Sequence, residues 1–435
     1  MKRRTLFCAA AFFLFFAGHS VACAAEAAAP ADTANGAARI SSDVFGKRGG
    51  YVHPFLKLNG MHSDNIFNTK ENTASDFITV VSPGIWLAAP RVKEELLDID
   101  TSSISSGGLD LDFATGKDFK RYQAYLFYGP DISMYSRYSD ENITRHRAEG
   151  MFQYNLRGGL TFEFIDQFQR SRDPRGTGIS TQEDKYATNF LTFRTSYDIT
   201  PKLELKADYS NFIVDYSAQR NNYRDRDDDS VSASVFFKFT PKTSAFIEYD
   251  YVTVNYDTNT LYDSSLHRGY GGIAWDVTKK SEGRFKIGSS SRDYESPRIS
   301  DTDEFVMELQ LDHTFTPKTS VAFTAFRQNS ESNIQGLNSI LRNRFDTAVT
   351  YRLTSKITTI LELAYSEENY DGALTYGGVT KEREDETNMA ALSAKYEIRK
   401  WLTAGLSYSY RKRDSNFSDF DYSTSVFLIN LTAAL

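Results

Sequence analysis

The sequence has little cysteine and, beyond its first residues, no long apolar run. Its only two cysteines are Cys8 and Cys23, and both lie in the first 24 residues. A mature chain that begins after Ala24 would therefore have no disulfide framework, no thiolate metal site and no cysteine nucleophile. No uninterrupted apolar stretch of about 18 residues follows, which excludes a transmembrane helix. Such a chain can cross a bilayer only as strands closed into a barrel, because open sheet edges would leave backbone groups unpaired in hydrocarbon.

The N-terminal 24 residues have the three parts of a secretory signal. Lys2-Arg3-Arg4 precedes an apolar run from Leu6 to Gly18, and the small residues Ala22-Cys23-Ala24 follow. We therefore predict a cleaved signal peptide over 1–24 and export from the cytoplasm. Lipidation of Cys23 is the alternative, which Ser20 disfavours because a lipobox has leucine at that place. Residues 25–50 are rich in alanine without a strand period, and they predict a periplasmic N-terminal tail.

Histidine is also scarce, and positive charge is not in excess. The six histidines are unclustered and the formal net charge is -7, so neither a zinc site nor nucleic-acid binding is predicted. We predict no cofactor and no metal. His62 and Ser63 are the one pair that suggests an outer-membrane hydrolase, but neighbouring residues on a strand point to opposite faces. The sequence therefore predicts no catalytic site and no enzyme activity.

A short phrase, Thr-Pro-Lys, recurs at the ends of alternating segments. It occurs at Thr200-Pro201-Lys202, Thr240-Pro241-Lys242 and Thr316-Pro317-Lys318, at intervals of about 40 residues or twice that. Degenerate copies occur at Thr278-Lys279-Lys280, Thr354-Ser355-Lys356 and Ile398-Arg399-Lys400. The repeated unit is one β-hairpin, and proline suits its turn because the ring presets φ and needs no ladder partner.

From residue 51 onward the hydrophobic period is two, as in an alternating segment over 305–315. Residues 51–435 therefore predict an all-β fold: a transmembrane antiparallel β-barrel of about 18 strands, with short periplasmic turns and long extracellular loops. We count 18 strands between 51–66 and 421–434, and we accept 16 to 20. Residues 89–120 lack the pattern and predict a plug, a periplasmic excursion or two further strands. The long loops are expected at 169–184, 219–229, 257–267, 330–342 and 371–386.

The polar face of the strands supplies the candidate functional residues. A barrel of about 18 strands leaves an aqueous lumen, and inward charges would bias the passage of ions or sugars. The alternative is that these charges pair across strands and keep the lumen wet. The lumen-lining candidates are Glu204, Asp208, Glu248, Asp250, Glu308, Asp312, Glu362, Lys395 and Arg411.

A dense acidic run, Asp225 to Asp229, is predicted to lie in a long loop. Its alternating carboxylates suit a calcium ion, but the glycine of an EF-hand loop is missing and Arg224 and Arg226 compete for the same charges. A solvated loop, bridged to lipopolysaccharide by divalent ions, is the favoured interpretation.

The opening strands resemble those of the putative β-barrel porin 2 family. The resemblance is carried by His53-Pro54-Phe55, Asp64-Asn65-Ile66-Phe67, Asp76-Phe77-Ile78, Ser82-Pro83-Gly84 and the Thr-Pro-Lys turns. It implies an 18-stranded channel of the bacterial outer membrane, used as the exit for an exopolysaccharide, with polysaccharide-export components as partners. The residues leave two alternatives open: a passive or solute-specific diffusion porin, and a plugged structural or adhesive barrel.

The C-terminus and the outer face suggest further partners. Phe427, Ile429, Leu431, Ala433 and Leu435 share one face up to the last residue. This alternation resembles the signal that the barrel-assembly machinery reads, with Leu435 in place of the usual phenylalanine. Outer-membrane lipid and lipopolysaccharide are the expected surroundings of the outer face.

Overall fold

The structure is a computed structural model that describes residues 51–89, 121–173, 175, 184–278, 280–332 and 334–434. These residues form one sheet of 18 antiparallel strands in which every strand pairs with the next along the chain and β18 pairs with β1. The sheet is therefore a closed barrel, which confirms the predicted fold class and strand number. The predicted segments 1–24 and 25–50, and all of 89–120 except Ala89, lie outside the described residues.

The strands are β1 Val52–Ser63, β2 Asp76–Ala89, β3 Tyr122–Tyr135, β4 Ile143–Asn155, β5 Leu160–Arg172, β6 Lys185–Thr200, β7 Leu203–Tyr216, β8 Arg226–Thr240, β9 Thr243–Tyr256, β10 Ser264–Thr278, β11 Ser281–Tyr294, β12 Thr302–Thr316, β13 Thr319–Glu331, β14 Ser339–Arg352, β15 Ile357–Tyr376, β16 Val379–Arg399, β17 Leu402–Ser415 and β18 Tyr422–Ala434. No helix among the described residues has the length and apolar character to cross a membrane.

Strand alternation sorts side chains between the two faces of the wall. On β9, Ile247 is 67% exposed and Tyr249 is also exposed, whereas the flanking residues Phe246 and Asp250 are buried. Exposed apolar side chains face outward on the other strands as well, for example Phe427 and Ile429 on β18. An apolar outer face and a polar inner face are what a barrel in a bilayer requires.

One end of the barrel, here called the turn end, has the short connections. In each Thr-Pro-Lys turn the threonine Oγ1 accepts the lysine backbone N–H at 3.2 Å, as at Thr200, Thr240 and Thr316. The hydroxyl thus satisfies a backbone donor that the proline turn would otherwise leave to water. The turn is also tied to its neighbour, since the Lys238 backbone N–H donates to the Lys202 carbonyl at 2.7 Å.

The opposite end, here called the loop end, has the longer connections, and an acidic or amide side chain closes several of them. The residue just before the next strand accepts the backbone N–H of the last residue of the previous strand. Asp225 accepts from Tyr216 at 2.7 Å and Asp263 from Tyr256 at 2.7 Å. The same bond occurs in Asp301 with Tyr294, Asn142 with Tyr135, and Asp421 with Ser415. Each of these loops is therefore fastened to its own hairpin.

Two sequence predictions about loops are wrong. Residues 371–386 are not a loop, because β15 and β16 continue and join through Gly377 and Gly378, whose φ values of 58° and 80° suit a tight hairpin turn. The acidic run does not form one loop cluster either, because β8 begins at Arg226. The strand pleat turns Asp227 outward and Asp228 inward, and buried Asp228 pairs with Arg226 at 3.1 Å.

Candidate functional site

The nine predicted lumen-lining residues all lie on the inner face of the wall, between neighbours that face outward. Four of those on β7 to β12, Glu204, Asp208, Glu248 and Glu308, are held in ion pairs. Glu204 contacts Lys238 at 2.8 Å, and Glu248 contacts Arg284 at 2.5 Å and Lys286 at 2.8 Å. Lys286 also reaches Glu308 at 3.3 Å, and Asp208 lies 3.4 Å from Arg194. Asp250 accepts a hydrogen bond from Ser232 at 2.6 Å. This side of the lumen is a cross-strand charge network.

The remaining candidates are Asp312, Glu362, Lys395 and Arg411. Glu362, on β15, has no hydrogen bond or ion pair within the part of the chain that the structure describes. Arg411 lies 3.6 Å from the Met389 sulfur, and Asp312, Lys395 and Arg411 each make a further contact within the protein. The structure therefore gathers Glu204, Glu248 and Glu308 into charge networks and leaves Glu362 apart.

The accessible part of the lumen follows β14 to β17. At mid height the inner face of these strands carries small side chains that are only half-buried: Ala348, Ala364, Ser366, Ala391, Ser393, Ser407 and Ser409. On the opposite wall the corresponding hydroxyl residues, such as Thr192, Ser210 and Ser290, are buried. Open space in the lumen therefore lies beside the small-residue wall of β14 to β17.

The hairpin of β13 and β14 leaves the wall at the loop end. The last pair between β12 and β13 is Met307 with Arg327, but β13 and β14 stay paired up to Glu331 with Ser339. Three consecutive residues, Asn329 to Glu331, are buried, although consecutive strand residues point to opposite faces. Burial of both faces means that the tip of this hairpin, residues 329–332 and 334–342, is folded into the mouth of the barrel. We call this segment the mouth hairpin.

Arg327 spans the gap that the departing strand leaves. Its Nε donates to the Phe305 carbonyl at 3.0 Å, and its Nη2 lies 3.0 Å from Glu304. Backbone acceptors of β12 that have no partner on β13 are thereby partly satisfied.

A buried ion cluster holds one side of the mouth hairpin. The Glu331 carboxylate lies 2.5 Å from Arg292 Nη2 on β11 and accepts a hydrogen bond from the Tyr256 hydroxyl on β9 at 2.7 Å. Strands β9 and β13 are about 19 Å apart along the wall at the usual strand spacing, so this contact exists because the hairpin crosses the lumen. Removing one member of a buried pair costs about 3–5 kcal/mol.

An apolar cluster holds the other side. Ile334, Leu337 and Ile340 of the mouth hairpin are buried against residues of β15 and of the loop 416–421. Those partners are Tyr370, Leu374, Phe417 and Phe420. The mouth hairpin is thus fixed to the wall on both sides.

The loop 217–225 completes the cover. The backbone of Gln335 hydrogen-bonds with the Tyr223 side chain, so this loop contacts the mouth hairpin. Burial raises the pKa of Tyr223, and burial raises the pKa of Asp225, at the end of the same loop, to about 6. The loop end of the lumen is therefore narrowed by contacts that span it.

Sequence reasoning missed Glu331, Arg292 and the mouth hairpin. The region 330–342 was predicted to be an extracellular loop, and nothing local distinguishes an inward loop from an outward one. The available signal was the apolar set Ile334, Leu337 and Ile340, which is unusual in a solvated loop.

A family model described as Putative beta-barrel porin 2 matches residues 105–435. The chain belongs to this family. As a member, the protein is a porin-like β-barrel channel of the bacterial outer membrane. The loop end is then the extracellular end and the turn end the periplasmic one.

Several solved outer-membrane barrels are similar to this chain at low sequence identity. OpdK from Pseudomonas aeruginosa is 9% identical with a TM-score of 0.45, over 89% of this chain and 100% of that chain. OccAB4 from Acinetobacter baumannii is 8% identical with a TM-score of 0.45, over 89% and 99%. The siderophore receptor PirA from Pseudomonas aeruginosa is 8% identical with a TM-score of 0.40, over 89% and 81%. These similarities concern the barrel fold alone. Comparison with curated protein sequences gives no match.

Proposed function

We propose that the protein is a diffusion channel for small hydrophilic solutes and that the mouth hairpin is its constriction. The observation that carries this proposal is the burial of both faces of residues 329–331 at the mouth. A segment fixed on both sides narrows the opening, so it selects solutes by size and charge before they reach the small-residue wall.

The inner wall below the mouth suits weak contact with passing solutes. Serine and alanine line the path on β14 to β17, and charges of both signs accompany them, with Glu362 facing the same side as Lys395 and Arg411. Conduction needs many weak contacts rather than one tight site. The nine inward residues are proposed to set the ion preference of this path.

Conductance in planar bilayers tests the proposal. Replacing residues 332–338 by an Asn-Gly turn should widen the mouth and raise single-channel conductance, because the apolar anchors Ile334 and Leu337 are removed. The matched control replaces 295–301 by the same turn, and it should leave conductance unchanged. Equal conductance in the parent and the shortened channel would reject the hairpin as the constriction, and absence of conductance in both would favour a plugged structural barrel.

Polysaccharide export is the second candidate, supported by the family resemblance and by the hydroxyl-lined wall. It requires the mouth hairpin to move, since a polymer is threaded through the whole lumen. Deletion of the gene should then trap polymer inside the envelope. Unchanged surface polymer would reject export and leave solute diffusion standing.

A further inference from the structure

The Glu331 carboxylate lies in a site built from the barrel wall. Arg292 contributes one guanidinium nitrogen at 2.5 Å and Tyr256 contributes its hydroxyl at 2.7 Å. Arg226, on β8, is close enough to act on Glu331 electrostatically. Arg292 is 0% exposed and Glu331 is 1% exposed. The wall thus supplies two guanidinium groups and a hydroxyl to one carboxylate that comes from the mouth hairpin.

The site has more hydrogen-bond donors than Glu331 uses. Arg292 Nε and Nη1 are buried and have no hydrogen-bond partner within the described ranges. Asp228 is the other carboxylate that faces the site, and it pairs with Arg226 at 3.1 Å. Without Glu331, two guanidinium charges would therefore face one carboxylate, and the vacated site would carry a net positive charge.

We propose that Arg226, Tyr256 and Arg292 form a binding site for a carboxylate-bearing solute and that Glu331 is its intramolecular occupant. The solute class is a small hydroxylated carboxylic acid, such as a sugar acid. This inference rests on the proposed function and names a substrate class for it. When the mouth hairpin moves, the solute carboxylate replaces that of Glu331.

The chemistry of the site favours a carboxylate over a neutral sugar. Arginine presents its nitrogens in a planar fork that matches a carboxylate in two parallel hydrogen bonds. A neutral solute would leave a buried guanidinium without a counter-charge, which is costly. Val252, Val254 and Leu266 form a buried apolar cluster on the adjoining wall. Water therefore does not readily solvate a guanidinium there that has lost its carboxylate partner.

Removal of the occupant tests the site directly. Purified Glu331→Ala and Glu331→Gln channels in detergent are titrated calorimetrically with glucuronate and, separately, with glucose. Glucuronate should bind Glu331→Ala at least tenfold more tightly than it binds the parent, and glucose should bind neither. Adding Arg292→Gln to Glu331→Ala should abolish glucuronate binding. Equal behaviour of glucuronate and glucose with both Glu331 variants would overturn the proposal.

Controls separate this site from the channel function and from misfolding. Glu367→Ala removes a carboxylate from the outward face of β15 and should leave glucuronate affinity at the parent level; a tenfold gain there would overturn the assignment to Arg292. A heat-dependent shift in electrophoretic mobility reports the folded barrel, and Glu331→Gln is the isosteric variant to use if Glu331→Ala loses that shift. Glucuronate binding without conductance in any variant would reject the proposed function and keep the site. Conductance together with equal affinity for glucuronate and glucose would reject the binding site and keep the proposed function.

Discussion

The docking of the mouth hairpin is the property most open to measurement, and Leu337→Ala is the sharpest perturbation of it. Leu337 is 3% exposed and packs in the apolar cluster of the mouth. Truncating a leucine in such a site costs about 2–5 kcal/mol. The cost falls on the docked state, because an undocked hairpin exposes Leu337 to water. With about 3 kcal/mol lost, and about 1.4 kcal/mol per tenfold change in an equilibrium, the undocked population rises about 100-fold.

A single introduced cysteine reports this population. Both native cysteines precede residue 25, so a background with Cys8→Ser and Cys23→Ser that carries Ser330→Cys has a single thiol, which lies in the mouth. Ser330 is buried, and cysteine is close to it in size. When opening and closing are fast, the rate of maleimide labelling tracks the equilibrium population of the open form. Leu337→Ala should therefore speed labelling of this cysteine about 100-fold.

The matched control is Leu363→Ala, the same truncation on the outward face of β15. Leu363 is 48% exposed, so the labelling rate should not change. Rapid labelling in the parent, with no further effect of Leu337→Ala, would refute the conclusion that the hairpin is docked in the mouth.

Three further predictions follow from the turns, the loops and the inner wall. Thr240→Val removes the hydroxyl that accepts the turn N–H at 3.2 Å and should lower the free energy of unfolding by about 1 kcal/mol, measured by urea titration in detergent; an unchanged midpoint would contradict a role for the hydroxyl. The pKa of Asp225, which burial raises to about 6 from 3.8, means that the folded state binds a proton more tightly than the unfolded one, so stability should fall as pH rises from about 4 to 6. Asp225→Asn should flatten that decline in thermal unfolding, and a parallel decline in both proteins would assign it elsewhere. Glu362→Lys should shift the reversal potential in a salt gradient toward anion preference, whereas Glu367→Lys, on the outward face of the same strand, should leave it unchanged; equal shifts would place Glu362 outside the conducting path.

The sequence was sufficient to predict the barrel because strands and turns are specified by local residue patterns. Alternation and the Thr-Pro-Lys turns locate strands such as 203–216 and 243–256 with the bounds that the structure has. The loop at 371–386 was mispredicted because its polar residues also alternate, and two glycines are enough to continue the hairpin through a tight turn.

The mouth could not be predicted because its contacts are distant in the sequence. Glu331 and Tyr256 are separated by 75 residues, and no local pattern links a carboxylate in one hairpin to a phenol in another. The acidic run at 225–229 shows the same limit on a smaller scale, since only the start of β8 at Arg226 decides which carboxylates face the lumen.

The closing bonds at the two ends of the barrel make each hairpin a self-contained module. A threonine fastens the short turn, an acidic residue fastens several of the opposite loops, and both bonds stay within the hairpin or its immediate neighbour. Duplication or loss of one segment of about 40 residues would therefore change the circumference by two strands and leave every remaining closure intact. Such an architecture lets the diameter of a barrel change in evolution by two strands at a time, while the remaining hairpins keep their structure.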